Sequence, residues 1–451
     1  MLEKLFHLKD NNTTVSREVL AGLTTFAAMA YIIVVNPATL TGFGAPGAMF
    51  IATILASAIS TLLLGLIANI PYAAAPGLGL NNTAANILAG YTAYLVGLSP
   101  EGIIAVVLLS GIINVIITVT NIRKYIITAI PKTLQNAIGA GIGMFIAFIA
   151  LCNIGLVHFN FGIPAINTAI SWQVLVVFLI GLGLTIFLLL KNVTGAILIG
   201  IIIAAAVGVP LGVTNFSTSY SVGEAWGAYM QWFGTPITKG LPEVFSNIKN
   251  LIPTLIGILS FSLSDLFDTI GTFIGTGKVS GIFSEEDLNN MEQTKGMASK
   301  MDRALFADAI ATPIGAVIGT SSTTTYVESA AGIGAGGRTG LVSVIVAICF
   351  LLSMPFAGFV SGIPSAATAP ALIVVAVMMM APLKEIEWDN LEEAIPATFA
   401  SVPMALTYGI TNGIMLGFWS YTFVKLCKGK IKEVHPIILV SDLLFILNYI
   451  L

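Results

Sequence analysis

The sequence predicts an all-α polytopic membrane protein with fourteen transmembrane spans, and three observations carry that prediction. Only 9% of the 451 residues are charged and 56% are hydrophobic, whereas soluble domains carry about 25% charged residues. Apolar runs long enough to cross about 30 Å of hydrocarbon recur from residue 18 almost to the end. The basic residues fall almost wholly in alternate loops, which marks a cytoplasmic face. A soluble chain of this length would divide into about three domains, but so few charges could not cover their surfaces. The net charge of −3 gives a nucleic-acid partner no basic footprint. Cys152, Cys349 and Cys427 are scattered in apolar surroundings, so neither a disulfide framework nor a metal cluster is expected.

Residues 1–12 are short and polar, and the first long apolar run begins near Val19, so no cleavable signal peptide fits. Spans are expected at 18–40, 48–69, 71–90, 101–120, 133–157, 173–190, 193–211, 251–277, 304–319, 322–336, 340–361, 366–381, 392–408 and 411–426. The tail 436–451 is a further apolar stretch, short enough to lie at the interface. With the N-terminus cytoplasmic, every even-numbered loop is cytoplasmic as well. Of the 19 basic residues, Lys239 and Lys249 alone then fall outside cytoplasmic segments. A miscounted span would scramble that alternation, so both termini are expected inside the cell. Residues 212–250, with Trp226 and Trp232, read as an external loop against the interface. Residues 278–303, with the run Glu285-Glu286-Asp287, read as a solvated cytoplasmic connection.

Transporters place cargo near the bilayer midplane where helices are interrupted, at matching places in two inverted halves. Two stretches offer such breaks. Residues 71–85 set Pro71, Pro76, Gly77 and Gly79 ahead of Asn81-Asn82, and residues 319–337 set a hydroxyl run ahead of Glu328 and a glycine series. Each reads as an extended stretch followed by a short half-helix, in spans 3 and 10, with Asn81 and Thr325 as N-caps. Freed backbone N–H groups then point at a cavity. Kinking or close packing is the plain alternative for either break alone; a matched pair with polar residues in both favours a site.

Asp265, Asp268, Asp308 and Glu328 fall within spans, and a carboxylate there faces a cavity or a partner. Helical spacing puts Phe261, Asp265, Asp268, Thr269 and Thr272 on one face of span 8. Two carboxylates three residues apart in an apolar setting repel when both are charged, so the pair is suited to take up and release a proton. Apart from Lys425 at the cytoplasmic end of 411–426, no Lys or Arg lies in a span, which favours a neutral polar ligand, a proton or a cation over an anion. Asp308 reads as structural and His158 as interfacial. Gly332, Gly334 and Gly337 match G-x-G-x-x-G, and residues 271–278 approach a P-loop, but neither has the required surroundings. Gly139, Gly141 and Gly143 read as close helix contacts.

Four segments, GLTTFAAMAYIIVVNP (22–37), APGLGLNN (75–82), SLSDLFDTIGTFIG (262–275) and GTSSTTTYVESAAGIGAGGRTG (319–340), resemble the AzgA-type adenine–guanine–hypoxanthine permeases of the nucleobase–cation symporter superfamily. The resemblance runs over nearly the whole chain. Ser329 stands where the superfamily's span-10 signature usually has asparagine, and the spacing to Arg338-Thr339 is longer. The resemblance implies seven plus seven inverted spans, with a core domain from about 18–120 and 251–361 and a gate domain from about 133–211 and 366–426. It implies proton-coupled purine import across the cytoplasmic membrane by a dimer, with no cofactor or metal. Carried over by position, Asp265 and Glu328 would hydrogen-bond the purine, Asn81 would orient it, and Asp268 would join them in proton coupling. Phe261, Thr324 and Ser329 complete the expected binding set, with Phe267 or Phe26 as further ring contacts. Uracil or xanthine carriage, and an anion carrier or channel on the same architecture, are the alternatives. A membrane enzyme is disfavoured, because His7, His158 and His435 form no cluster.

Overall fold

The computed structural model describes residues 2–90, 95, 97–120, 130–160, 163–216, 220–246, 251–283, 299–407 and 409–450. Among them, eight helical segments are long and apolar enough to cross a membrane: Val15–Thr39, Pro46–Ala68, Pro100–Val119, Lys132–Asn153, Trp172–Leu190, Leu251–Ile270, Gly340–Val360 and Ser365–Glu385. A helix of 20 residues is about 30 Å long, which matches the hydrocarbon thickness. The other expected spans are shorter, more polar or interrupted. The run Glu285-Glu286-Asp287 and the basic residues Arg123, Lys124, Lys249 and Lys295 lie outside the described residues, as does the side chain of Lys278.

Helices α1 (Val15–Met29) and α2 (Ile32–Thr39) meet at a bend carrying Tyr31. Helix α3 (Pro46–Leu63) continues as one π turn over Leu64–Ala68 and stops at Asn69 in the left-handed conformation. Strand β1 (Ala74–Pro76) and half-helix α4 (Leu78–Leu88) follow, then α5 (Pro100–Val119) and α6 (Lys132–Asn153). A small hairpin, β2 (Val157–Asn160) and β3 (Ile163–Ile166), carries the exposed His158. Helices α7 (Trp172–Leu190) and α8 (Ala196–Gly208) precede α9 (Val222–Trp232).

Helix α10 (Leu251–Ser280) and α11 (Lys300–Ile318) lead to strand β4 (Thr323–Thr325) and half-helix α12 (Ser329–Gly334). The remaining helices are α13 (Gly340–Leu352), α14 (Ser365–Met379), α15 (Leu391–Leu406), α16 (Ile410–Cys427) and α17 (Pro436–Ile450).

The expected external loop 212–250 is largely helical. Ser221 and Glu224 form a capping box that starts α9. Trp232, at its end, donates from Nε1 to the Gly319 carbonyl at 2.7 Å. Gly319 closes α11 at φ +100°, a conformation that favours glycine. The partner for this loop was a distant chain turn, which sequence spacing does not reveal.

Both helix breaks are present and they meet. Strands β1 and β4 pair antiparallel in the register Ala74↔Thr325, Ala75↔Thr324 and Pro76↔Thr323. Strands this short do not hold alone, and in an apolar interior every backbone group needs a partner. Hydroxyls supply them. Thr61 donates to the Ala74 carbonyl at 2.9 Å and accepts from its N–H at 3.0 Å. Thr312 donates to the Thr323 carbonyl at 3.1 Å, and Ser329 accepts from the Ala73 N–H at 3.0 Å. The half-helices are capped differently from the expectation. Gly77 and Glu328 occupy the N-cap positions, while Asn81 sits one turn inside α4 and Thr325 belongs to β4. Strand pairing extends further along the chain than a side-chain cap would allow: Gly77 N–H still bonds the Ser322 carbonyl at 2.9 Å.

Candidate functional site

Where the two strands cross, a cavity of about 170 Å³ opens. Its polar wall is Tyr31 from the α1–α2 bend, Asp268 and Thr272 from α10, Thr324 and Thr325 from β4, and Tyr326 and Glu328 from the turn into α12. Leu78 and Phe267 add apolar surface on the same side. Gly77 and Gly79 at the start of α4, Val327, Gly139 of α6, Val375, Met378 and Met379 of α14, and Pro382 complete the lining. Acids therefore face apolar surface across a space that polar and apolar parts of one small ligand could share.

Each cavity acid takes one hydroxyl donor from the wall. Tyr31 donates to Glu328 Oε1 at 2.6 Å, and Thr324 donates to Asp268 Oδ2 at 3.1 Å. Tyr326 donates to the Pro76 carbonyl at 2.6 Å, tying the turn after β4 back to β1. A second layer of polar groups lies behind this wall. Asp308 is fully buried and accepts from the Thr325 hydroxyl at 2.8 Å, the Thr325 N–H at 3.1 Å and the Thr269 hydroxyl at 2.7 Å. Asp265 accepts from Asn114 of α5 at 2.9 Å and from Thr312 of α11 at 3.2 Å. Asn81 donates to Asn36, whose amide donates in turn to Thr53 at 2.7 Å and Thr320 at 3.1 Å.

The comparisons with known proteins bear on this geometry. A family profile described as the permease family matches residues 16–416. The chain belongs to the permease family. The permease is 37% identical to the guanine/hypoxanthine permease PbuO of Bacillus subtilis, over 98% of this chain and 99% of that one. It is 34% identical to the adenine permease AdeQ of Escherichia coli, over 100% of this chain and 96% of that one. Its fold resembles the transmembrane domain of the cyanobacterium bicarbonate transporter BicA, with TM-score 0.62, 16% identity, and coverage of 91% of this chain and 97% of that one. The permease is thus a multi-pass membrane transporter and not an enzyme, as the motif resemblance implied.

Of the residues singled out in the sequence, Asp268, Glu328 and Thr324 line the permease's cavity together, with Phe267 beside them. Asp265, Asn81, Phe261 and Ser329 do not. Phe261 is fully buried in the apolar core, Ser329 is bonded to Ala73, and Asp265 and Asn81 stand in the layer behind. Phe26 packs edge-on against Phe350, with ring centroids 5.3 Å apart, away from the cavity. The single face expected on span 8 is split: Asp268 and Thr272 look into the cavity, while Asp265 and Thr269 look toward α5 and α11. Tyr31 and Tyr326 were missed in the sequence; the signal that points to Tyr31 is a polar side chain, like Asn36, within the long apolar run 22–37.

Buried acids outside the site have structural partners. Glu18 accepts from the Arg338 N–H at 2.9 Å, the Thr339 hydroxyl at 2.6 Å and the Thr13 hydroxyl at 2.7 Å, which docks α1 on the start of α13. Asp442 accepts from Thr422 at 2.6 Å and fixes the tail helix α17 to α16.

Proposed function

We propose that the permease is a purine nucleobase:proton symporter, importing adenine, guanine or hypoxanthine across the cytoplasmic membrane by alternating access. The observation that carries this reading is the placing of Asp268 and Glu328 with Phe267 in one small cavity. A purine presents ring N–H donors at its edge and a flat apolar face. Carboxylates accept from such donors, and tyrosine and threonine hydroxyls serve its acceptors. The names of PbuO and AdeQ support a purine over a pyrimidine. An anion would meet two carboxylates and no base, which disfavours that rival.

In this proposal the chain makes fourteen spans as seven plus seven, with both termini cytoplasmic. The meeting of two matched breaks as antiparallel strands is what a two-fold axis in the membrane plane would produce. The cavity lies between a core from about 18–120 and 251–361 and a gate from about 133–211 and 366–426. Met378, Met379 and Pro382 of its lining are next to Lys384 in the chain, on the side this proposal takes as cytoplasmic. On the other side α2 meets α14, where Val35, Ala38, Thr39, Thr368 and Leu372 leave a gap of about 10 Å³, room for a single water.

A proton bound by the Asp268/Glu328 pair relieves their mutual repulsion and lets the base bind. Its loss on the less acidic cytoplasmic side weakens the site and releases the base. Uptake of labelled hypoxanthine and adenine into proteoliposomes, with and without an inward proton gradient, tests the reading. Gradient-driven accumulation is expected. Uptake indifferent to the gradient removes the coupling, and absence of uptake removes the substrate.

A further inference from the structure

Gly139, Gly141 and Gly143 recur along α6, and packing demands two of them. A Cβ at Gly141 would lie 2.7 Å from Met404 Sδ and 2.8 Å from Ser401 Cα, and at Gly143 it would lie 2.7 Å from the Ala376 carbonyl oxygen. Gly143 is one turn beyond Gly139 on the same face, and there α14 closes tightly on α6. At Gly139 an added Cβ would meet nothing within 4 Å. Its backbone is ordinary helix, so no unusual dihedral calls for glycine, and glycine inside a helix is less stable than alanine. The space in front of Gly139 is the cavity that holds Asp268 and Glu328. The other glycines of that cavity differ. A Cβ at Gly77 would press on Thr324 at 3.2 Å, and one at Gly79 would strike Ile142 at 2.5 Å.

We propose that Gly139 is a specificity-determining residue whose missing side chain sets the size of the base the permease admits. This rests on the purine reading of the cavity. The acids select for ring N–H donors, while Gly139 supplies clearance on the gate side for the second ring and its exocyclic substituent. A side chain there takes up room the cargo needs without disturbing any neighbour.

The test is uptake of labelled hypoxanthine, adenine and guanine by proteoliposomes carrying wild type, Gly139→Ala, Gly139→Val or Gly139→Leu, together with the melting temperature of each purified protein. The Ala variant should melt at or above wild type. KM should rise stepwise with side-chain size, by roughly tenfold or more at Val, since even one methylene's volume in a pocket is worth about tenfold or more. Guanine, with the extra exocyclic group, should suffer more than hypoxanthine. A Val variant with wild-type KM for all three bases overturns the proposal, as does a lower melting temperature for Ala, which would reveal a packing role. Should Leu fail to fold, Ala and Val still decide. Wild-type protein that takes up no purine sinks the symporter reading and this proposal with it, whereas active wild type with unaltered variants sinks this proposal alone.

Discussion

The sharpest consequence of the geometry concerns two aspartates three residues apart. Three residues turn an α-helix by about 300°, so Asp265 and Asp268 point about 60° apart. That angle places Asp268 in the cavity and Asp265 against Asn114 and Thr312 behind it. With the pair's proton on Glu328 in the proposed bound state, Asp268→Asn turns a charge-assisted hydrogen bond from a ring N–H into a neutral one, and one amide donor faces the base's own donors. Hydrogen bonds to charged groups contribute about 1.5–3 kcal/mol. At about 1.4 kcal/mol per tenfold, Kd for hypoxanthine should rise by roughly 10- to 100-fold. In Asp265→Asn the remaining carbonyl oxygen can keep both donors, because Asn114 and Thr312 meet the same oxygen, Oδ2, and what they lose is the charge on their acceptor. Its effect should appear as a lower melting temperature, with Kd within about threefold of wild type because no bond to the base is lost. Equilibrium binding of labelled hypoxanthine to the purified proteins, with thermal melts alongside, separates the two. A larger binding loss for Asp265→Asn at unchanged stability would refute this assignment of the helix faces.

Three further outcomes follow from the same geometry. Asp308→Ala strands the Thr325 N–H and two hydroxyls, of which only the hydroxyls can turn to other acceptors. It should destabilise the protein by about 2–4 kcal/mol in thermal or denaturant unfolding, and an unchanged melt would show that β4 is held by other means. Tyr31→Phe keeps the packing but removes the donor to Glu328. Hypoxanthine binding should weaken by up to about tenfold with the melt preserved, since a hydroxyl-to-carboxyl hydrogen bond contributes about 0.5–1.5 kcal/mol net; wild-type affinity would place Glu328 outside the binding site. Gly319→Ala forces a side chain into φ +100°, costing about 1–2 kcal/mol, and drives its Cβ into the Trp232 indole. Adding Trp232→Phe should recover part of the lost stability and not the backbone share, and full recovery would deny the strain.

The two breaks were legible in the sequence because proline, glycine and a run of threonines are poor material for a continuous apolar helix. Where they end was not, because Gly77 and Glu328 became the cap positions through strand pairing between residues some 250 apart in the chain, as the Tyr326–Pro76 bond illustrates. Glu328, Thr324 and Asp268 could be named as a group from their types and their spans. Which face of α10 looks into the cavity depends on where α5 and α11 pack. Asn114 and Thr312, the residues that hold Asp265 away from the cavity, carry no distinguishing pattern of their own. Gly139 reads in the sequence like its neighbours Gly141 and Gly143, and only the parting of α6 from α14 sets it apart.

The hydrogen bonds also constrain how such a machine could move. The partners that hold the crossing strands and the two acid layers, namely Asn36, Thr53, Thr61, Asn81, Asn114, Thr269, Thr312 and Asp308, all lie within 18–120 and 251–361. They bond to one another and to the strands, so breaking the set would leave polar groups unpaired in an apolar medium at a cost of about 1–3 kcal/mol each. The opposing surface of the cavity, Gly139, Val375, Met378, Met379 and Pro382, offers side chains that make no directional bonds. Sliding one set past the other exchanges apolar contacts for apolar contacts, while displacement within the polar set does not. The pair Ser260–Thr411 joins the two sides, and a hydroxyl pair is the kind of link that can open and re-form, because each oxygen both donates and accepts. In the proposed mechanism the polar wall therefore travels as one body, and the cargo moves with the carboxylates that hold it.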